Sequence, residues 1–203
     1  MRKNINRKTT PKVKGGKPLR KNNHTQTSNY WNTQQKEVQI DEYKPGKGFK
    51  HFLKKKDIIN FIEIIPNWEV LSQDLDAIVL SFGDVDYDGH YNNNGVISIS
   101  AWEKDRDVLM DNGYYQDHKE LFERLGVIAT PKSGGVFCEF TEDQIKAYQL
   151  LHILLHELGH HYDRIKTKSK FKSSRGEQYA EEFAFVNEKE IWNKYQEKFN
   201  VVF

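Results

Sequence analysis

The chain has 203 residues, 37% of them hydrophobic and 30% charged, which is enough for one domain of about 150 residues with an extension. No run of 18 apolar residues occurs, so a membrane-spanning helix is excluded from the reading, and the lone Cys138 excludes an intrachain disulfide. The net charge of +2 hides a polarised chain: residues 1–56 carry 16 Lys and Arg against 3 Asp and Glu, net +13, while residues 57–203 carry 15 against 26, net −11.

Residues 1–48 are rich in Lys, Asn, Thr, Gly and Pro and poor in aliphatic side chains, a composition that predicts a disordered basic N-terminal tail ahead of a domain at 49–203. Two roles fit it. One is electrostatic attachment to nucleic acid or another polyanion, with Tyr30 and Trp31 as stacking groups; the other is a solvated linker beside an acidic domain. The spacing of the charges matches no groove-reading element, which favours the linker. The tail has no signal-like apolar stretch, and with a single cysteine a cytoplasmic protein is the simplest account.

Further along, basic and apolar residues alternate in a way that predicts a helix over 55–64, stopped before Pro66. Aliphatic runs predict strands at 77–82 and 95–102, followed by a helix over 118–125 and a short strand at 136–140. Between the first two strands, Asp84-Val85-Asp86-Tyr87-Asp88-Gly89 reproduces the first half of a calcium-binding loop. Its twelfth position is Gly95, where a bidentate Glu is needed, so the segment reads as a polar hairpin loop, with calcium binding or a place on a substrate rim as the alternative. Together these elements make an α+β domain.

Thr141 and Gln144 form a T-x-x-Q capping box that opens a long apolar helix running to about residue 165. Gln149, His152, His156, His160 and Asp163 fall within about 40° of one line along it, a polar stripe on a helix otherwise apolar enough to be buried. Such a stripe needs partners. His156-Glu157-Leu158-Gly159-His160 is an H-E-x-x-H pentad: the two imidazoles lie one turn apart and can reach a single zinc, and Glu157 is placed to handle a water bound to that metal. His161 projects about 140° away and reads as a surface or second-layer residue. His152 is on the metal face, but from His152 to His160 is about 12 Å of helix, too far for one ion to bind all three histidines.

The third ligand therefore comes from another element. Ser174 and Glu177 form an S-x-x-E capping box opening a helix over 177–184, with Glu177, Ala180, Glu181 and Ala184 on one face and Glu182 about 140° from Glu177. Glu177 and Glu181 both remain as candidates, and the two alanines allow close helix approach.

H-E-L-G-H followed by E-x-x-A-E-x-F-A resembles the gluzincin branch of zinc metallopeptidases, and more distantly the ImmA/IrrE-type metallopeptidase domains, in which Asn stands at the position of Glu181. The resemblance covers residues 141–185. It implies a zincin-like α+β domain with a small sheet beside the H-E-x-x-H helix, Zn2+ as cofactor, Glu177 as third ligand after His156 and His160, and Glu181 as the carboxylate that orients a ligating histidine. It also implies Glu157 as general base in hydrolysis of a protein or peptide substrate. An oxyanion donor is not assigned; Tyr162 and Tyr179 are close in sequence but read as core or surface residues. The alternatives are a non-catalytic zinc-stabilised binding module and a nucleic-acid-associated protein acting through its tail. An intact Glu157 favours the enzyme, because a purely structural zinc site has no use for it.

Overall fold

The computed structural model describes residues 13–14, 17–18, 29–84, 87–167 and 175–203. In chain order its elements are β1 (Val13–Lys14), β2 (Lys17–Pro18), a 3-10 turn at Asn29–Trp31, β3 (Gln39–Glu42), β4 (Phe49–Lys50), α1 (Lys55–Ile62), α2 (Trp68–Leu71), β5 (Ala77–Ser81), β6 (Gly89–Asn92), β7 (Val96–Ser100), β8 (Trp102–Glu103) and β9 (Asp107–Met110). There follow α3 (Asn112–Leu125), β10 (Ile128–Lys132), β11 (Gly135–Glu139), α4 (Glu142–Tyr148), a π-helical segment (Gln149–Leu154), α5 (Leu155–Lys166) and α6 (Gly176–Phe199).

A run of four apolar residues, Ala77 to Leu80, can be a strand only if both of its faces are covered. It becomes β5, an inner strand of a four-stranded sheet in the order β3-β5-β7-β6. β3, β5 and β7 are parallel and β6 runs antiparallel to β7, with Gly89 opposite Ile99 and Tyr91 opposite Ile97. Ile78, Leu80, Ile97 and Ile99 face the main core, which they share with α1, α3, α6 and the helix from α4 through α5. Ala77, Val79 and Val96 face the other way and are covered by Tyr30, with Trp31 and Tyr43 against it. A second, antiparallel sheet, β10-β11-β9, packs against α3. The architecture is α+β, and among the described residues no helix is long and apolar enough to cross a membrane.

The expected limit of the tail at residue 48 is corrected. Residues 29–48 belong to the folded domain: β3 pairs with β5 from Gln39 opposite Ala77 to Glu42 opposite Leu80, and Tyr30 is 4% exposed. The Tyr30 hydroxyl donates to Asp41 at 2.8 Å, and the Trp31 indole N–H donates to the Tyr43 hydroxyl at 2.8 Å. A buried Tyr30 is therefore not a stacking group for nucleic acid. Composition misled because the cover is made by aromatic rings rather than by aliphatic residues. Apart from β1 and β2, residues 1–28 of the predicted tail lie outside the described residues.

The Thr141 capping box forms as expected, Thr141 Oγ1 accepting from the Gln144 N–H and Gln144 Oε1 from the Thr141 N–H. The helix it opens is not uniform, because the π segment interrupts it at Gln149–Leu154. Ser174 lies outside the described residues, and α6, capped by Arg175, runs on to Phe199, well past the predicted end at 184.

Tyr30→Ala should lower the stability of the protein by about 3 kcal/mol, the usual cost of emptying a large buried aromatic site. Urea unfolding of the full chain measures it, and an unchanged midpoint would return residues 29–48 to the status of a tail.

Candidate metal centre

Helix α5 meets α6 at Gly159. A Cβ built there would lie 2.8 Å from Ala180 Cα and 3.1 Å from Phe183 Cβ, so only glycine allows the two backbones to approach this closely. The crossing sets the first turn of α6 over His156 and His160. His156 Nε2 and His160 Nε2 are 3.2 Å apart, and Glu177 Oε2 lies 3.1 Å from the first and 3.2 Å from the second. A tetrahedral ion with bonds of about 2.1 Å holds its ligands about 3.4 Å apart, so the three atoms are spaced as one divalent ion requires.

Glu181, one turn after Glu177, sits behind His156. Its Oε2 accepts from His156 Nδ1 at 2.9 Å, which places the proton on Nδ1 and the lone pair on Nε2, toward the other two donors. Burial disfavours the charged His156 ring, but the Glu181 hydrogen bond and the carboxylates of Glu157, Glu181 and Glu177 raise its pKa overall. Glu182 is exposed and accepts from Gln178 at 2.9 Å, away from the cluster.

Glu157 is 7% exposed, and burial pushes its pKa up to about 7, against the lowering effect of His156. Its carboxylate lies against the start of β6, where a Cβ on Gly89 would come within 2.9 Å of Oε1 and 2.6 Å of Ile153 Cγ2. Among the described residues β6 ends the four-stranded sheet, so the strand beside Glu157 is an edge strand there. Gly89, His90 and Tyr91 line one side of a cavity of about 870 Å³; His156, Glu157, His160 and Glu177 line the other.

The rest of the polar stripe is partnered as well. The Gln149 side-chain amide donates to Ser100 O at 2.8 Å, and the buried Asp163 accepts from Arg175 N at 2.8 Å and Nε at 2.7 Å. His161 does point away from the cavity, but it is fully buried rather than on the surface. Its Nε2–H donates to Gln73 O at 2.9 Å, and its Nδ1 lies 3.2 Å from the Tyr91 hydroxyl, tying α5 to β6. Tyr162 packs on Phe183 and Tyr179 lies under the Arg175 guanidinium; neither lines the cavity.

Sequence reasoning gave no site role to the cavity residues His118 and Tyr114, while Asp88, from the loop with the substrate-rim alternative, does line the cavity. The Tyr114 hydroxyl donates to Asp88 at 3.1 Å and is hydrogen-bonded to the Tyr148 hydroxyl. Asp88, pushed up in pKa by burial, thus faces inward rather than into an open calcium loop; Val85 and Asp86 lie outside the described residues. The available signal was His118 itself, a histidine on the apolar face of α3 between Tyr115 and Phe122.

Comparison with known proteins found no matching family model, no matching curated protein and no matching solved structure.

Burial lowers the pKa of His161 to about 4. The neutral ring therefore stabilises the fold fully above its unfolded pKa of about 6.5, and that contribution is lost as pH falls toward 4. Between pH 7 and pH 4.5 the wild type should lose about 2–3 kcal/mol more than His161→Gln, which cannot titrate. Parallel pH–stability curves from denaturant unfolding would show that the ring titrates normally in the fold.

Proposed function

We propose that the protein is a zinc-dependent metallopeptidase of the gluzincin type, hydrolysing peptide bonds with Glu157 as general base. The observation that carries this reading is the convergence of His156 Nε2, His160 Nε2 and Glu177 Oε2 at 3.1–3.2 Å beside a buried Glu157, at the edge of a sheet. Two histidines and one carboxylate leave a coordination position free, the composition of a catalytic rather than a structural site. A bound zinc supplies a polarising charge and a water acidified to a pKa of about 7.

The chain's own groups provide the rest. Glu157 accepts the proton of the attacking water at its carboxylate and returns it to the leaving amine, and its raised pKa suits both halves of that task. Glu181 holds His156 in the tautomer that presents Nε2. The free edge of β6 offers backbone N–H and C=O groups to an extended peptide, which would lie along the cavity past Glu157. A buried Glu157 beside the three donors favours an enzyme over a zinc-stabilised binding module. A cytoplasmic location belongs to the same reading and is supported by the lone, buried Cys138.

Purified protein should bind zinc and lose thermal stability on chelation, and Glu157→Gln should keep the metal while losing at least about a hundredfold of peptidase activity. Equal cleavage of a peptide library by wild type and Glu157→Gln would sink the mechanism.

Glu177→Ala should weaken zinc binding at this site far more than the roughly 10- to 100-fold typical of losing an orienting partner, the cost expected for Glu181→Ala. A larger loss in the Glu181 variant, measured by competition with a chromogenic chelator with His118→Gln present in both proteins so that only this site is read, would exchange the two roles.

A further inference from the structure

Next to the first cluster, deeper in the domain, stands a second one that the proposed reaction does not use. His118 on α3 and His152 in the π segment are 5% and 2% exposed, and their Nε2 atoms are 2.8 Å apart. Glu181 Oε1 lies 3.2 Å from His118 Nε2, and Glu181 Oε2 lies 3.5 Å from His152 Nε2. All three side chains line the same cavity as the first cluster.

With both rings neutral, their protons do not suffice for their lone pairs. His118 Nδ1 is 2.7 Å from the Tyr114 carbonyl, which can only accept, so the proton of a neutral ring is on Nδ1 and Nε2 presents a lone pair. His152 can bring one proton on Nε2 and share it with His118. Glu181 Oε1 is then left buried without a hydrogen-bond partner, while its twin Oε2 is occupied by His156 Nδ1–H. A buried carboxylate oxygen facing the lone-pair side of an imidazole is costly unless a proton or a metal cation lies between them, and the metal alone would also engage His152.

The helix is also distorted at this point. His152 belongs to the π segment, where i→i+5 bonding widens the turn, and its ring meets α3 rather than continuing the row of His156 and His160. A 12 Å span that rules out one ion for His152 and His160 is no obstacle to two ions.

We infer that His118, His152 and Glu181 form a second metal site, which binds a divalent first-row transition ion of the zinc type. Two imidazoles and one carboxylate match such ions and not calcium or magnesium, which take oxygen ligands. The separations of 2.8–3.5 Å fall around the spacing of about 3.4 Å expected for bonds of about 2.1 Å. Glu181 then serves both centres, one oxygen on the second ion and the other accepting from His156. This inference goes beyond the proposed peptidase, and only the coupling through Glu181 rests on that reading.

The test is zinc stoichiometry of the full-length protein by elemental analysis after equilibration with zinc and gel filtration, for wild type, His118→Gln, His160→Gln and the double variant. Circular dichroism reports the fold of each, and His118→Phe, which suits the aromatic surroundings of α3, stands in if His118→Gln unfolds. Two zinc ions per chain in wild type, one in each single variant and none in the double variant are expected. One ion in wild type, kept in the His118 variants and lost in His160→Gln, overturns the second site and leaves the peptidase reading intact. One ion lost with His118 and kept in His160→Gln supports the second site and overturns the first. One ion lost in both single variants means a single shared site, and no ion in wild type or two ions unaffected by His118 likewise overturn the inference.

Discussion

The close approach of α5 and α6 at Gly159 and Ala180 is the contact on which the site depends. A methyl group on Gly159 would meet the Ala180 backbone at 2.8 Å, and moving α6 outward to relieve it would withdraw Glu177 and Glu181 from His156 and His160 together. Ala180 and Ala184 are both fully buried along the same line. The small residues in this helix pair are thus functional at one remove: they set the distance over which charged groups on one helix reach imidazoles on the other.

Burying Gln149, Asp163 and His161 is affordable because each of them is paired across elements. Gln149 is satisfied by β7, Asp163 by Arg175, and His161 by Gln73 and Tyr91. Each of these bonds also fixes a neighbour. His161 holds β6 against α5, while Gly89 lets the start of the same strand close over Glu157. Glu157 and His161 are one turn apart on the same face of α5, so the edge strand and the carboxylate are positioned together by that face.

Glu181 concentrates the electrostatics. It stands within hydrogen-bonding distance of His156 and close to His118 and His152, so a single carboxylate connects α3, the π segment, α5 and α6. On the proposed two-site reading, this carboxylate is the point through which occupancy at one cluster would alter basicity at the other.

The sequence by itself determined the local features: the H-E-x-x-H spacing that puts His156 and His160 on one face, the Thr141 cap, the direction of His161, and the choice between Glu177 and Glu181 over Glu182, all of which follow from 3.6 residues per turn. The aliphatic runs likewise marked β5 and β7. Short polar strands such as β6 and β3 were not legible, because four residues of mixed polarity carry no period, and residues 29–48 passed for a tail because three aromatic rings, not a hydrophobic run, cover the second face of the sheet. The π segment and the meeting of His118 with His152, 34 residues away, were decided by tertiary packing alone. Helical periodicity fixes angles within one element, but distances between elements depend on which surfaces can pack, and that is a property of the whole core.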